Sequence, residues 1–286
     1  MTGQLLIFGM GYTANRLADQ LRVQGWQVTG TQRQAGTGTI AFDDQDGVRK
    51  AMGQATHILS SVPPSDADGD PVLLKYGGVL ASAPAQWLGY LSSTGVYGDT
   101  GGAWVDESAA TGSGRRSARA EADRSWQALR GDVRVFRLPG IYGPGRSALE
   151  RVLKGKAHRI AAGPQVFSRV HVDDIVAAVI AGLTGSAGAY NIADDRPCSQ
   201  NAVIELACDM LGIAWPALQD LDAAQLSPMA RGFYAESRRV SNRKAKRILG
   251  WKPVYSDFRA GLLACMANTS PMTTNTAPDT ANNDQL

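Results

Sequence analysis

Gly9-Met10-Gly11-Tyr12-Thr13-Ala14 has the residue types and spacing to hold a dinucleotide pyrophosphate. The pattern G-x-G-x-x-G/A acts through the backbone. Gly9 permits a tight turn, Gly11 lets the main chain approach a phosphate, and Ala14 lets the next helix pack on the preceding strand. Gln4-Leu5-Leu6-Ile7-Phe8 reads as a buried strand before the turn, and Ala14, Leu17, Ala18 and Leu21 follow at helical spacing. The free N–H groups and positive end of that helix then meet the phosphates. Gly9, Gly11, Tyr12, Thr13 and Ala14 are therefore expected to bind a cofactor; the alternative is a plain structural turn.

Binding of NAD usually calls for an Asp or Glu about 20 residues past the glycines, on the ribose 2′-hydroxyl. Here strand two ends Thr31-Gln32-Arg33, without an acid. An arginine fork suits a 2′-phosphate. The sequence thus favours NADP(H) over NAD(H), with a solvent-facing Arg33 as the alternative. Ser92 and Ser93 close a predicted strand at its carboxyl end, where open α/β sheets bind ligands; they also read as ordinary strand-end hydroxyls.

The elements that must position these residues alternate. Strands are predicted at Gln27–Thr31, Ile40–Phe42, His57–Ser61, Trp87–Ser92, Val133–Leu138 and Ala189–Ile192, with helices between most of them. Such alternation implies an α/β fold with a doubly wound parallel sheet, since parallel neighbours need a crossover. Beyond about residue 195 the texture becomes helical, with Ser199, Ser241 and Ser256 as predicted caps. The expected organisation is a nucleotide-binding domain over 1–195, with a substrate-loop insertion at about 144–170. A small helical substrate lobe follows over 196–267, and then a disordered tail over 268–286.

The chain has 286 residues, a hydrophobic fraction of 44% and a formal net charge of +3. That charge is too small to argue for nucleic acid or a membrane, and no stretch approaches the ~18 apolar residues of a span. Cys198, Cys208 and Cys265 make no metal-ligand or redox spacing, so no metal site is expected. Sparse cysteines and a start without a basic leader fit a cytoplasmic protein. Arg238, Arg239, Arg243, Lys244, Lys246 and Arg247 form a basic cluster. It reads as a solvated helix face or a contact for an anionic ligand.

Further segments complete an ordered set: Leu91-Ser92-Ser93-Thr94-Gly95-Val96-Tyr97-Gly98, Arg137-Leu138-Pro139-Gly140-Ile141-Tyr142-Gly143, Val170-His171-Val172-Asp173-Asp174, Tyr190-Asn191-Ile192-Ala193 and Leu249-Gly250-Trp251-Lys252-Pro253. In this order, from about Leu5 to about Leu263, the chain resembles the extended short-chain dehydrogenase/reductase superfamily, the epimerase/dehydratase-like group. The resemblance implies an N-terminal Rossmann domain, a C-terminal substrate lobe and a site between them. It implies that Pro139 and Ile141 lie against a nicotinamide, that Asp43 approaches the adenine (Asp44 being the alternative), and that Ser93 is the catalytic Ser/Thr. Ser61 and Ser92 join the expected cofactor-binding set. The partner implied is a small-molecule substrate of unknown identity, bound by a monomer or homodimer.

The resembled family performs its chemistry with a Tyr-x-x-x-Lys pair, the lysine lowering the tyrosine pKa for proton exchange. The pair stands four and eight residues before a glutamate. Anchored on Glu121, the matching positions are Ser113 and Ser117, and Thr111 to Arg130 contains no tyrosine or lysine. Neither serine nor arginine replaces the pair directly. Tyr97, Tyr142 and His171 are the remaining candidate acids beside Ser93; His171 and Asp173 also read as a strand-end residue and a helix cap. The function expected is an NADP-dependent oxidoreductase or epimerase/dehydratase-like enzyme with an altered centre. The alternative is a non-catalytic NADP-binding sensor or regulator. The arginine expected in sugar-nucleotide enzymes has Phe167 in its place, with Arg169 two residues later, which argues against a UDP-sugar.

Overall fold

The computed structural model describes residues 2–112, 117–222, 224, 226, 231–232 and 234–267. The stretch read as a disordered tail lies outside the described residues. The chain alternates strand and helix: β1 (Gln4–Phe8), α1 (Tyr12–Val23), β2 (Gln27–Gln32), β3 (Thr39–Ala41), α2 (Gln45–Gln54), β4 (His57–Ser60), α3 (Pro71–Ala81) and β5 (Trp87–Ser93). Next come β6 (Trp104–Val105), α4 (Ser117–Leu129), β7 (Val133–Leu138), β8 (Gly140–Tyr142), α5 (Ala148–Leu153), β9 (Arg159–Ile160) and β10 (Arg169–His171). Then follow α6 (Val172–Gly182), β11 (Gly188–Asn191), α7 (Gln200–Leu211), β12 (Leu218–Gln219) and β13 (Arg239–Val240). Short helices at Arg243–Ile248 and Phe258–Ala267 close the fold.

Seven strands form one sheet in the order β11-β7-β5-β4-β1-β2-β3, and every pairing in it is parallel. This is the Rossmann-type doubly wound arrangement that the strand–helix alternation predicts. The order reverses between β1 and β4. Loops leaving adjacent strands diverge there, so a crevice opens at their carboxyl ends, the place where such sheets bind ligands. Gly9 and Ser61 both stand at that edge.

Helices cover both faces. One layer packs Leu5, Ile7, Leu17 and Leu21 with Trp87, Phe136 and Val179. The other packs Leu6, Phe8 and Val48 with Tyr76, Leu88 and Trp126. Each such large apolar side chain contributes about 1.5–3 kcal/mol when fully buried. A third cluster joins Leu149 and Val152 of α5 to Ile204 and Ala207 of α7 and to Phe258 and Leu262. This cluster holds the C-terminal helices beside the sheet edge.

Three small parallel pairs were not legible in the sequence: β8 with β10, β9 with β12, and β6 with β13. Strands this short carry little pattern, because their stability is tertiary. Two predicted caps shift by one residue. Asn242 rather than Ser241 precedes the helix Arg243–Ile248. The Asp257 carboxylate, not Ser256, accepts from the Arg259 and Ala260 amides at 2.9 and 3.1 Å. Ser199 caps α7 as predicted, accepting from the Ala202 amide at 3.1 Å.

Asp70 joins two of the flanking helices. One carboxylate oxygen caps α3, accepting from Val72 and Leu73 amides at 2.9 and 3.0 Å. The other accepts from Trp126 Nε1 of α4 at 2.8 Å. Asp70→Ala loses a cap and leaves a buried indole N–H unpaired, so the expected destabilisation is about 2–4 kcal/mol. A denaturant titration measures it as a lower midpoint at unchanged slope.

Candidate active site

The glycine turn follows directly from β1. Gly9 has φ +84°, a left-handed conformation that favours glycine. Its amide donates to Thr31 Oγ1 at 3.2 Å, and the Met10 amide to the Thr31 carbonyl at 3.1 Å, so β2 fixes the turn. A Cβ on Gly11 would point into open space. No side chain caps α1 at Gly11, and its first turn holds no acid. The amides there are left for an external anion. Ala14 is fully buried against the sheet.

A cavity of about 470 Å³ begins at this turn and is of small-molecule size. Gly11, Tyr12, Thr13 and Ser61 line one end; Ser92, Ser93, Pro139 and Ile141 line another part of the wall. Residues from four separate expectations thus meet around one space. Arg119, Arg146, Arg238 and Glu236 complete its polar lining. Three guanidinium groups against one carboxylate favour an anionic occupant.

The remaining expected residues lie apart. Arg33 is exposed just beyond β2. Asp43 pairs with Lys75 on the surface, and Asp44 is the cap of α2, accepting from the Gly47 amide at 3.0 Å. Tyr97 is buried behind the cavity wall. Its hydroxyl donates to Asn191 Oδ1 at 2.8 Å and accepts from Arg137 at 2.9 Å. Burial pushes its phenol up, opposed in part by Arg137. Tyr142 lines a neighbouring cavity, and burial raises its phenol also. His171, buried, is the cap of α6, its Nδ1 accepting from the Asp173 amide at 3.2 Å. Asp173 is not the cap; it pairs with Arg16 of α1 at 2.7 Å. Burial lowers the His171 pKa, so the imidazole is held neutral.

Sequence reading missed the network beneath the cavity. Asp123 of α4 and Arg137 of β7 form a bidentate pair at 2.7 and 3.0 Å, with side chains 0% and 4% exposed. Ser92 Oγ donates to the same carboxylate at 2.6 Å, and Gln127 Nε2 at 2.6 Å. Burial alone would lower the Arg137 pKa, but its bonds to Asp123 hold it above the ordinary range.

This network distinguishes the two acids of α4. Glu121 is exposed and pairs with Arg124 on the surface, whereas Asp123 faces the core. Anchoring the four-and-eight spacing on Asp123 puts Arg119 at the lysine position and Arg115 at the tyrosine position. Arg119 lines the cavity beside Ser93. Ser117 is exposed, while Ser113 and Arg115 lie outside the described residues. The missed signal was the helical face: Ala122 and Trp126 are buried, and Asp123 is next to them rather than on the solvent side.

Ser93 Oγ accepts from the Gly95 amide at 3.1 Å. That bond leaves the hydroxyl hydrogen to donate. Arg169 is buried and donates to the Phe167, Cys198 and Ser199 carbonyls and to Gln200 Oε1 at 3.0–3.3 Å. Those bonds engage its guanidinium within the fold. The basic cluster is divided rather than one solvated helix face. Arg238 lines the cavity, Arg239 lies in β13, and Lys246 pairs with Asp195. Among the described residues, no cluster of His, Cys, Asp or Glu is arranged to hold a metal. No helix there is long and apolar enough to cross a membrane.

No protein-family model matches the chain. A solved structure of a functionally unknown conserved protein from Silicibacter pomeroyi is 40% identical, covering 93% of this chain and 99% of that one, with a TM-score of 0.86. A 3-diazoavenalumate denitrifying reductase from Streptomyces is 33% identical over 140 residues, 45% of each protein; the match thus spans under half of that relative. Lower identity accompanies the same fold in two liganded structures. Human epimerase family protein SDR39U1 with NADPH is 18% identical with a TM-score of 0.75, covering 93% of this chain and all 100% of that one. MoeE5 in complex with UDP-glucuronic acid and NAD is 20% identical with a TM-score of 0.76, covering 93% and 98%.

Because the Asp123–Arg137 pair is buried, removing one partner strands a charge. Asp123→Leu or Arg137→Met alone should cost about 3–5 kcal/mol, and the two together less than the sum. Chemical denaturation of the three variants measures the coupling.

Proposed function

We propose, from the premise that this chain shares a family with the Silicibacter pomeroyi protein and carries the extended short-chain dehydrogenase/reductase fold, that it is a nicotinamide-dependent reductase of a small molecule that works without a tyrosine acid. One observation carries the reading: the glycine turn, Ser93, Arg119 and the Pro139–Ile141 strip border a single cavity. The reductase named among its relatives supports the reaction class.

The residues present fit the cofactor. The uncapped amides of α1 would hold the pyrophosphate, and the Pro139–Ile141 strip would back the nicotinamide ring. In its reduced form the cofactor would supply a hydride to an electrophilic carbon of the substrate. Ser93 would donate a hydrogen bond to the polar atom of that acceptor. Arg119 would stabilise negative charge arising there, and, remaining protonated, it acts as an electrostatic group rather than a proton donor. Water then supplies the proton. Anion stabilisation in a partly enclosed site is worth a factor of roughly 10²–10³ in rate.

A non-catalytic nucleotide sensor is the second reading. It is favoured by the engagement of the Tyr97 hydroxyl with Arg137 and Asn191, away from the cavity. Incubating the NADPH-loaded protein with fractionated metabolites separates the readings. Loss of dihydronicotinamide absorbance with a reduced product in the mass spectrum is expected; nucleotide binding without any consumption would sink the reductase.

With a substrate in hand, Arg119→Met should lower kcat about 10²-fold and Arg119→Lys should restore part of it. The cofactor preference proposed is NADP(H), through Arg33 at the end of β2. Arg33→Ala should weaken NADPH about 10-fold, equivalent to about 1.4 kcal/mol, and leave NADH unchanged. Calorimetric titration of both coenzymes decides it; tighter NADH binding by the unaltered protein overturns the preference.

A further inference from the structure

A second cavity of about 480 Å³ lies beside the first. The two share Gly140, Ile141, Arg146 and Ser168 in their walls. A molecule seated in the second cavity therefore borders the same strip of chain that borders the first.

Its lining is divided by chemistry. Tyr142, Val203, Phe258 and Leu262 make an apolar floor drawn from β8, α7 and the last helix. Arg146, Arg151, Lys154 and Lys156 line it from a separate segment that runs through α5, with His158 two residues further on. Glu150 is the acidic residue in the lining. Its carboxylate is already committed to the capping box of α5, accepting from the Gly145 and Ser147 amides at 2.8 and 2.7 Å. The Ser147 hydroxyl, with those amides, holds its pKa down despite burial, so it stays a bound carboxylate. Four cations of one segment thus share the lining with the apolar floor, Arg169 being engaged within the fold, and the Glu150 carboxylate is directed at backbone N–H groups.

We infer that this second cavity is the substrate site and selects an organic anion with a ring-sized apolar body, its anionic group on the Arg146–Lys156 side and its body on the Tyr142–Leu262 floor. The inference rests on the reductase reading for the word substrate, but the binding chemistry stands on the cavity itself. Burying a ring on the floor supplies affinity. The cations supply selection of charge and a faster, salt-dependent approach. An uncharged body of the same shape meets the floor alone.

A pair of matched fluorescent probes tests this: anilinonaphthalene sulfonate, an aryl anion, and phenylnaphthylamine, the same ring system without charge. The unaltered protein should bind the sulfonate at least 10-fold more tightly, and the preference should fall as salt rises. Arg151→Gln with Lys154→Gln, both at exposed positions, should weaken the sulfonate about 10-fold and leave the neutral probe within 2-fold. Leu226→Trp, at a half-buried position of the lining, should weaken both probes. Saturating NADPH should leave sulfonate binding within 2-fold. Equal binding of the two probes, or insensitivity to all three substitutions, overturns the inference, as does displacement of the sulfonate by NADPH. Failure of NADPH to bind at all would defeat the reductase reading while leaving the anion result intact.

Discussion

The cleft depends on one ion pair set beneath it. Asp123 and Arg137 are withdrawn from water and joined by two parallel hydrogen bonds. A pair of this kind adds little net stability, since the cost of desolvating both charges offsets most of their attraction. Its effect is positional. Arg137 can satisfy its charge only if α4 stands at one height against β7, and Asp123 can do so only if Ser92 turns its hydroxyl inward. Arg137 also reaches Tyr97, and Tyr97 reaches Asn191 of β11. Four neighbouring elements are thus indexed to one another directly below the cavity.

That indexing explains which side chains face the ligand space. Arg119 precedes Asp123 by one helical turn, so fixing Asp123 inward turns Arg119 toward the same end of the sheet. Tyr97 is taken out of play by the same network. Its phenol is held protonated by burial and occupied at both lone pair and hydrogen. The charged lining of the cavity is mainly cationic, its Glu236 carboxylate being paired with Arg238, and Ser93 adds a hydroxyl. A site so composed can bind and polarise an anion or a carbonyl.

The sheet and the nucleotide end were legible because their signals are local. A buried apolar run, a glycine pair and a helical repeat lie within about 20 residues, and each constrains the same turn. Among the residues at the carboxyl edge, Ser92 and Ser93 followed from a strand end, while Pro139 and Ile141 followed from the family resemblance, and all four line the cavity. Which acid of α4 faces the core was not legible, because Glu121 and Asp123 lie two positions apart and each follows an alanine. What separates them is Arg137, fourteen positions on, whose need for a buried counter-charge no local pattern expresses. The small pairs β6–β13 and β9–β12 failed for the same reason: their partners are more than fifty residues apart. The cap at Asp257 moved by one residue because polar neighbours compete for the same amides, whereas Asn242 is held at its position by donating to the Ala193 carbonyl and to Asp195.

The nucleotide turn and the second cavity are also not independent. Tyr12, first residue of α1, sends its hydroxyl to the Pro144 carbonyl at 2.9 Å, and Arg146 lies over its ring at 5.7 Å. Gly143 has no room for a side chain there, since a Cβ would come within 2.6 Å of the Tyr12 hydroxyl and of Val172. One turn further along α1, Arg16 pairs with Asp173 at the start of α6. The loop that leads into the basic side of the second cavity is therefore fastened to the helix whose amides face the first. Arg146 belongs to both linings, and its position is set by the aromatic ring of the nucleotide turn. Geometry that orders the turn consequently orders the cation that separates the two spaces.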